Sequence, residues 1–196
     1  MAAGTAWRRG WVPALVVLAV LAAGCTGDDG APGEPVAEAP AAAPEAAPLE
    51  TTTRLGRLTG KLPPPDRREV VEAATAVVDD WIDAGFVGGE YPRTDFTAAF
   101  AGFTPPARRE AERDLALMTN ADLGPRIDSV EPVARVVLVD VLATKKQAQA
   151  VTARFRLVFR TEGEVSERVA LKGRFYLTEK GSQWRVFGYD VARGER

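Results

Sequence analysis

The chain has 196 residues, with one cysteine, no histidine, and 25 basic against 27 acidic side chains for a formal charge of −2. The missing histidine excludes Ser-His-Asp and Cys-His catalysis and histidine-ligated zinc, and a lone cysteine excludes an internal disulfide. The slightly acidic balance argues against nucleic acid as a partner.

In chain order, Arg8 and Arg9 precede a mostly apolar run from Val12 to Ala23, interrupted only by Pro13. As a helix that run covers about 18 Å, well short of the roughly 30 Å hydrocarbon core of a bilayer. A cleaved export signal over residues 1–24 is the expectation, rather than a membrane span.

Small residues Ala22, Ala23 and Gly24 then lead directly into Cys25. The segment Leu21-Ala22-Ala23-Gly24-Cys25 resembles the lipobox of bacterial lipoproteins, with Leu21 one place earlier than the usual leucine. The resemblance implies that the chain is cut before Cys25 and that the thiol is acylated. Two or more acyl chains, at about 0.8 kcal/mol per buried methylene, would hold it firmly to the extracytoplasmic side of the cell membrane. Read instead as an ordinary secretory signal, the same segment would leave Cys25 without a role.

From Thr26 to Pro65 the chain is rich in Ala, Pro, Gly and Glu, with prolines at 32, 35, 40, 44 and 48. Such a stretch holds too little apolar surface to offset ordering entropy, so residues 25–65 read as a lipidated N-terminus followed by a disordered linker. Fully extended, it would reach about 120 Å at ~3.1 Å per residue. Leu55, Leu58 and Leu62 also fit a short helical turn docked on the folded domain.

That domain is expected over residues 66–196. Asp66 and Glu69 have the spacing of a capping box, and Val70, Val71, Ala74, Val77, Val78, Trp81 and Ile82 then mark one face of a helix ending near Gly85. A short helix capped by Thr94 or Asp95 carries Phe96, Ala99, Phe100 and Phe103. Thr104-Pro105-Pro106 opens a third helix, striped by Ala107, Ala111, Leu115 and Met118.

After Gly124-Pro125 the apolar period changes to two, predicting strands near 129–143, 147–160, 165–178 and 182–192. The connections at Lys145-Lys146, Glu162-Gly163-Glu164 and Glu179-Lys180-Gly181-Ser182 are short enough for successive hairpins. The expected fold class is α+β, with three N-terminal helices packed on a curved four-stranded antiparallel sheet.

That element order and the closing Gln183-Trp184-Arg185-Val186-Phe187-Gly188-Tyr189-Asp190 resemble the nuclear-transport-factor-2-like (cystatin-like) superfamily, over about residues 66–192. The last strand is similar to that of actinobacterial lipoproteins and mammalian-cell-entry-associated proteins of this type. The resemblance implies a cone-shaped fold with an apolar cavity between helix and sheet, and, in some members, an enzyme with an Asp or His inside it.

Four residues are candidates for such a pocket: Trp81, Tyr91, Tyr189 and Asp190. Asp79, Asp80 and Asp83 on the first helix are the remaining acid–base candidates, and Asp79 and Asp83 stand four apart on one face. No phosphate-binding glycine loop or calcium loop occurs, and no cofactor or metal is expected. A second candidate is a basic face. Arg154, Arg156 and Arg174, continued by Arg160, Arg168 and Lys172, fall at the outward positions of adjacent strands. Anionic lipid head groups or wall polymers would suit it better than nucleic acid.

The expectation for function is a non-catalytic, lipid-anchored envelope lipoprotein whose domain binds a partner protein or an apolar ligand. The alternatives are an enzyme of the polyketide-cyclase or isomerase kind with a cavity Asp, and a structural accessory subunit of an envelope transport complex.

Overall fold

The computed structural model describes residues 49–195. The predicted signal, Cys25 and the linker up to Pro48 lie outside the described residues. Ala46–Arg196 forms one compact unit, and its core cluster runs from Leu62 to Val186.

The elements follow in the order β1 (Thr52–Thr59), α1 (Pro64–Ile82), a π-helical turn Asp83–Val87, a 3-10 turn Thr97–Phe100, α2 (Pro105–Arg113), α3 (Leu115–Met118) and a 3-10 turn Gly124–Arg126. The long strands β2 (Ile127–Thr144), β3 (Gln147–Gly163), β4 (Arg168–Lys180) and β5 (Gln183–Glu195) complete the chain. They lie in one five-stranded sheet in sequence order. β2 to β5 pair antiparallel, while β1 pairs parallel with β2. Among the described residues no helix is long and apolar enough to cross a membrane.

This corrects the expected α+β fold of three helices on a four-stranded antiparallel sheet. The sheet is mixed and five-stranded, and a strand precedes the first helix. The segment responsible is Thr52–Thr59, whose pattern suggests a linker or a helical turn. Its register slips between Leu55 and Leu58, where Leu55 pairs with Val139 and Leu58 with Val141. A bulge at Gly56-Arg57 therefore returns two leucines three apart to the same face of the sheet. Three-residue spacing, which suggests a helix, here belongs to a bulged strand.

The helices differ as well. Pro63 precedes α1, with Pro64 and Pro65 in its first turn and no side-chain cap. Their fixed φ starts the helix before Asp66 is reached. Asp66 thus lies within the first turn, where the helix dipole favours a carboxylate. The Phe96–Phe103 segment makes only one 3-10 turn, with Asp95 Oδ1 accepting the Thr97 N–H at 2.9 Å. The long third helix is divided at Asp114, whose φ and ψ of −94° and 28° separate α2 from α3.

β5 carries a second bulge, since Tyr176 pairs with Gly188 but Leu177 with Val186. The slip changes parity at Phe187. Val186 is buried, and Trp184, Tyr189 and Val191 all pack against the core although two are even-numbered positions and two odd. Phe187 is left on the opposite face, 52% exposed.

α1 lies across one face of the sheet and buries Val70, Ala74, Val78, Trp81 and Ile82. Trp81 is at the centre, with ring centroids 5.1 Å from Phe86, 5.0 Å from Phe155 and 4.7 Å from Phe175. Its indole N–H donates to the Met118 carbonyl at 3.0 Å, so the one polar atom is satisfied. Phe103 extends the stack from Phe175 at 5.4 Å to Tyr189 at 6.4 Å. Aromatic rings at van der Waals separation fill the space between α1 and the sheet.

Candidate functional site

The four pocket candidates do not converge on one cavity. Trp81 is 1% exposed and is itself the filling of the core. Tyr91 is half-buried at one end of the domain. Its hydroxyl donates to the Phe86 carbonyl and accepts from Asn120 Nδ2 at 3.3 Å and Arg93 Nη2 at 3.2 Å. Asn120, fully buried, also donates to the Phe86 carbonyl at 3.1 Å, and the Arg93 guanidinium lies over both the Tyr91 and Phe96 rings. This cluster ties the loop after α1 to the loop after α3.

Tyr189 and Asp190 are neighbours on a strand and therefore point to opposite faces. The Tyr189 hydroxyl donates to Asp114 Oδ2 at 2.7 Å, joining β5 to the junction of α2 and α3. Burial, followed by that hydrogen bond to a carboxylate, pushes its pKa well above the usual tyrosine value. Asp190 stands on the other face and pairs with Arg174 at 2.9 Å.

The helix carboxylates are also engaged. Arg135, only 10% exposed, reaches from β2 to Asp79 Oδ1 at 3.0 Å and to Asp83 Oδ1 at 2.8 Å. Thr51 donates its hydroxyl to the same Asp79 oxygen. Asp79 and Asp83 do share a helix face, and a single guanidinium spans the pair. The result is a clamp between α1, β2 and the start of β1. Arg135 is not legible as a partner in the sequence, because one cation in a strand gives no sign of which helix it faces.

The basic residues do come together. Antiparallel pairing sets Arg154 opposite Arg174, Arg156 opposite Lys172, and Arg160 opposite Arg168. All six are exposed on the face of the sheet away from α1. Asp140, a lone acid in the apolar run of β2, lies on the same face, diagonal to Arg154, whose own β2 partner is Leu138. Its carboxylate accepts from Arg154 Nε at 2.8 Å and Nη2 at 3.0 Å, and from the Arg57 backbone N–H at 2.6 Å. Partial burial raises the Asp140 pKa, but the hydrogen bonds from Arg154 and Arg57 outweigh it and leave the carboxyl below the usual range. The registered row reads Leu138–Arg154–Arg174–Asp190 across four strands, and Asp140 reaches Arg154 diagonally from the Thr152 rung, so two acids flank two inner arginines.

The next row is different. Val136, Arg156, Lys172 and Ala192 follow one another across β2 to β5, without an acid. Beyond it lie Ala134, Val158, Ala170 and Gly194. Small side chains here leave a shallow cleft of about 240 Å³ lined by Arg156, Ala170, Lys172, Ala192 and Gly194. It shares Lys172 and Ala192 with a second cleft of about 390 Å³ lined by Arg154, Arg174 and Asp190. A larger cleft of about 560 Å³ opens at the end of the domain, where Asp66, Glu69, Lys146, Glu179 and Trp184 meet. Its charges are of both signs, and they do not focus on one point.

Among the described residues no group of three or more acidic or cysteine side chains is arranged to hold a metal ion. No protein-family model, no curated protein and no solved structure matches the chain.

Proposed function

We propose that this chain is a lipoprotein of the bacterial cell envelope, held to the outer side of the membrane through acylated Cys25, whose domain works by non-covalent contact rather than by catalysis. The observation that carries the reading is the sequence around Cys25. The only cysteine of the chain follows a basic and then apolar segment and three small residues.

Two features of the domain favour a macromolecular partner over the other readings. The space beneath α1, where an apolar ligand would sit, is occupied by Trp81, Phe86, Phe155 and Phe175. An isomerase or cyclase needs a carboxylate inside a cavity. Asp79, Asp83 and Asp190 are instead 29%, 53% and 59% exposed and each is paired with an arginine. A filled core with these carboxylates paired at the surface suits an accessory or partner-binding role in the envelope.

The test is Cys25→Ala in cells that process lipoproteins. The unaltered protein is expected in the membrane fraction at a mass raised by acyl chains, and the variant in the soluble or secreted fraction at its unmodified mass. An unmodified mass for the unaltered protein in the membrane fraction would overturn the anchor.

A further inference from the structure

The uncovered face of the sheet is built against its own stability. On that face the β3–β4 rungs run Thr152/Tyr176, Arg154/Arg174, Arg156/Lys172, Val158/Ala170 and Arg160/Arg168. Three of the five are pairs of like charge directly opposite one another, an arrangement that destabilises a sheet. A face that needed only solubility would gain from mixing signs across the rungs.

Compensation is incomplete. Asp140 pairs with Arg154, Asp190 with Arg174, and Glu131 lies 3.6 Å from Arg160. Among the described residues Arg156, Lys172 and Arg168 have no carboxylate partner. The Arg156/Lys172 rung is flanked by Val136 and Ala192, so no acid and no large side chain stands between these cations and an approaching anion. Along β3, Arg154 to Arg160 spans about 20 Å at ~3.3 Å per residue. The cations therefore form a row rather than a single focus.

One end of the same face is apolar. Leu142 and Phe187 are the two most exposed large hydrophobic residues described, at 47% and 52%, and both project from this side. Phe187 is placed there by the β5 bulge, with its ring 6.3 Å from that of Tyr176. A row of cations beside exposed Phe and Leu matches the layered chemistry of a membrane surface, with phosphates outermost and acyl chains beneath.

We propose that this face docks onto an anionic phospholipid membrane, with the Arg156–Lys172 rung taking headgroup phosphates and Phe187 and Leu142 entering the interface. The proposal rests on the envelope lipoprotein reading for its setting. It adds a second, reversible contact that would lay the domain flat on the membrane holding its anchor.

The experiment uses residues 25–196 with Cys25→Ser, which contain the compact unit entire and carry no acyl chain. The protein is sedimented with vesicles of phosphatidylcholine alone and of phosphatidylcholine mixed with phosphatidylglycerol, at low and high salt. Binding is expected only to the mixed vesicles, and to fall at high salt. Arg156→Glu should weaken it by about 25-fold, two charge units at roughly fivefold each. Phe187→Ser should weaken it at both salt concentrations.

Arg156→Glu also turns the rung into an opposite-charge pair, so a melting temperature at or above that of the parent shows that the loss is not unfolding. Lys172→Glu makes the same pair from the other strand and serves as the second variant. No binding to the mixed vesicles, equal binding to neutral ones, or binding unchanged in both folded variants would overturn the proposal. Because no acyl group is present, this result is independent of Cys25. An unacylated mass for the unaltered protein in cells, with vesicle binding intact, faults the anchor alone, and an acylated mass without vesicle binding faults the face alone.

Discussion

Gly56 shows how much one missing side chain decides. A Cβ at this position would overlap Asp140 Oδ1 and meet Arg154 Nη2 at 3.0 Å. Only glycine lets the bulge of β1 lie against the Asp140 carboxylate, which then accepts the Arg57 amide and the Arg154 guanidinium together. The pKa of Asp140 is lowered in the folded chain, so its contribution to stability is present above the unfolded value of about 4 and is lost as pH falls through the folded value. Asp140→Asn should therefore cost about 1 kcal/mol near neutral pH, and the deficit should close as pH falls below the ordinary carboxylate value and the parent carboxyl protonates. Gly56→Ala should reproduce the neutral-pH loss. Gly194→Ala, whose Cβ meets nothing within 4 Å, should change stability by less than about 0.5 kcal/mol. Denaturant midpoints measured across pH would check all three.

At the scale of elements, the parallel strand β1 decides where the domain starts. It covers the edge of β2, sets Leu58 against the core and leads to Leu62, which is 3% exposed. Thr51 then joins Arg135 on Asp79, so β1, β2 and α1 are held at one point. The opposite edge is partly covered too. Thr104 donates to the Val186 carbonyl at 2.8 Å, and Val186 to the Gly102 carbonyl at 3.0 Å. Arg193 reaches from β5 to the Ala116 and Thr119 carbonyls and to Asp122 at the end of α3. A chain begun at Pro64, close to the boundary that composition alone suggests, would expose the edge of β2 and the apolar positions that Leu58 and Leu62 cover. It should aggregate, as an uncovered edge invites strand pairing between molecules. A chain begun at Leu49 should remain monomeric. Size-exclusion chromatography of the two distinguishes them, and equal monomer yields would show β1 to be dispensable.

For the whole molecule, the division of labour is between two faces of one sheet. The inner face, closed by α1, is given to aromatic packing, and the outer face carries charge. Trp81 bridges α1, the turn at Phe86 and two strands, so removing it leaves a cavity that no neighbour can refill without moving the helix. Trp81→Ala should cost about 3–5 kcal/mol. Trp184, only partly buried at the rim, should cost less when truncated in the same way. Urea unfolding of the two variants would measure the difference, and comparable losses would contradict a core centred on α1.

The inner face was legible in the sequence, because burial repeats with the period of the element. Val151, Ala153, Phe155, Leu157 and Phe159 are all buried, as strict alternation requires. The outward line of Arg154, Arg156, Arg160, Arg168, Lys172 and Arg174 was legible for the same reason. Both depend only on neighbours along the chain. The proposed lipidation at Cys25 rests on local sequence too, since such a signal would be recognised along an extended chain.

What only the tertiary structure decided are the places where partners come from afar or the period breaks. The bulges at Gly56-Arg57 and Phe187 shift parity, so Leu55 with Leu58, and Val186 with Tyr189, share faces of a strand that simple alternation would separate. Parallel pairing of β1 with β2 joins segments more than 80 residues apart and leaves no hairpin turn to announce it. Register then sets Arg156 opposite Lys172 and Arg154 opposite Arg174, which converts separate basic positions into rungs of like charge. Pairing across strands is a property of two segments at once, whereas a sequence period is a property of one.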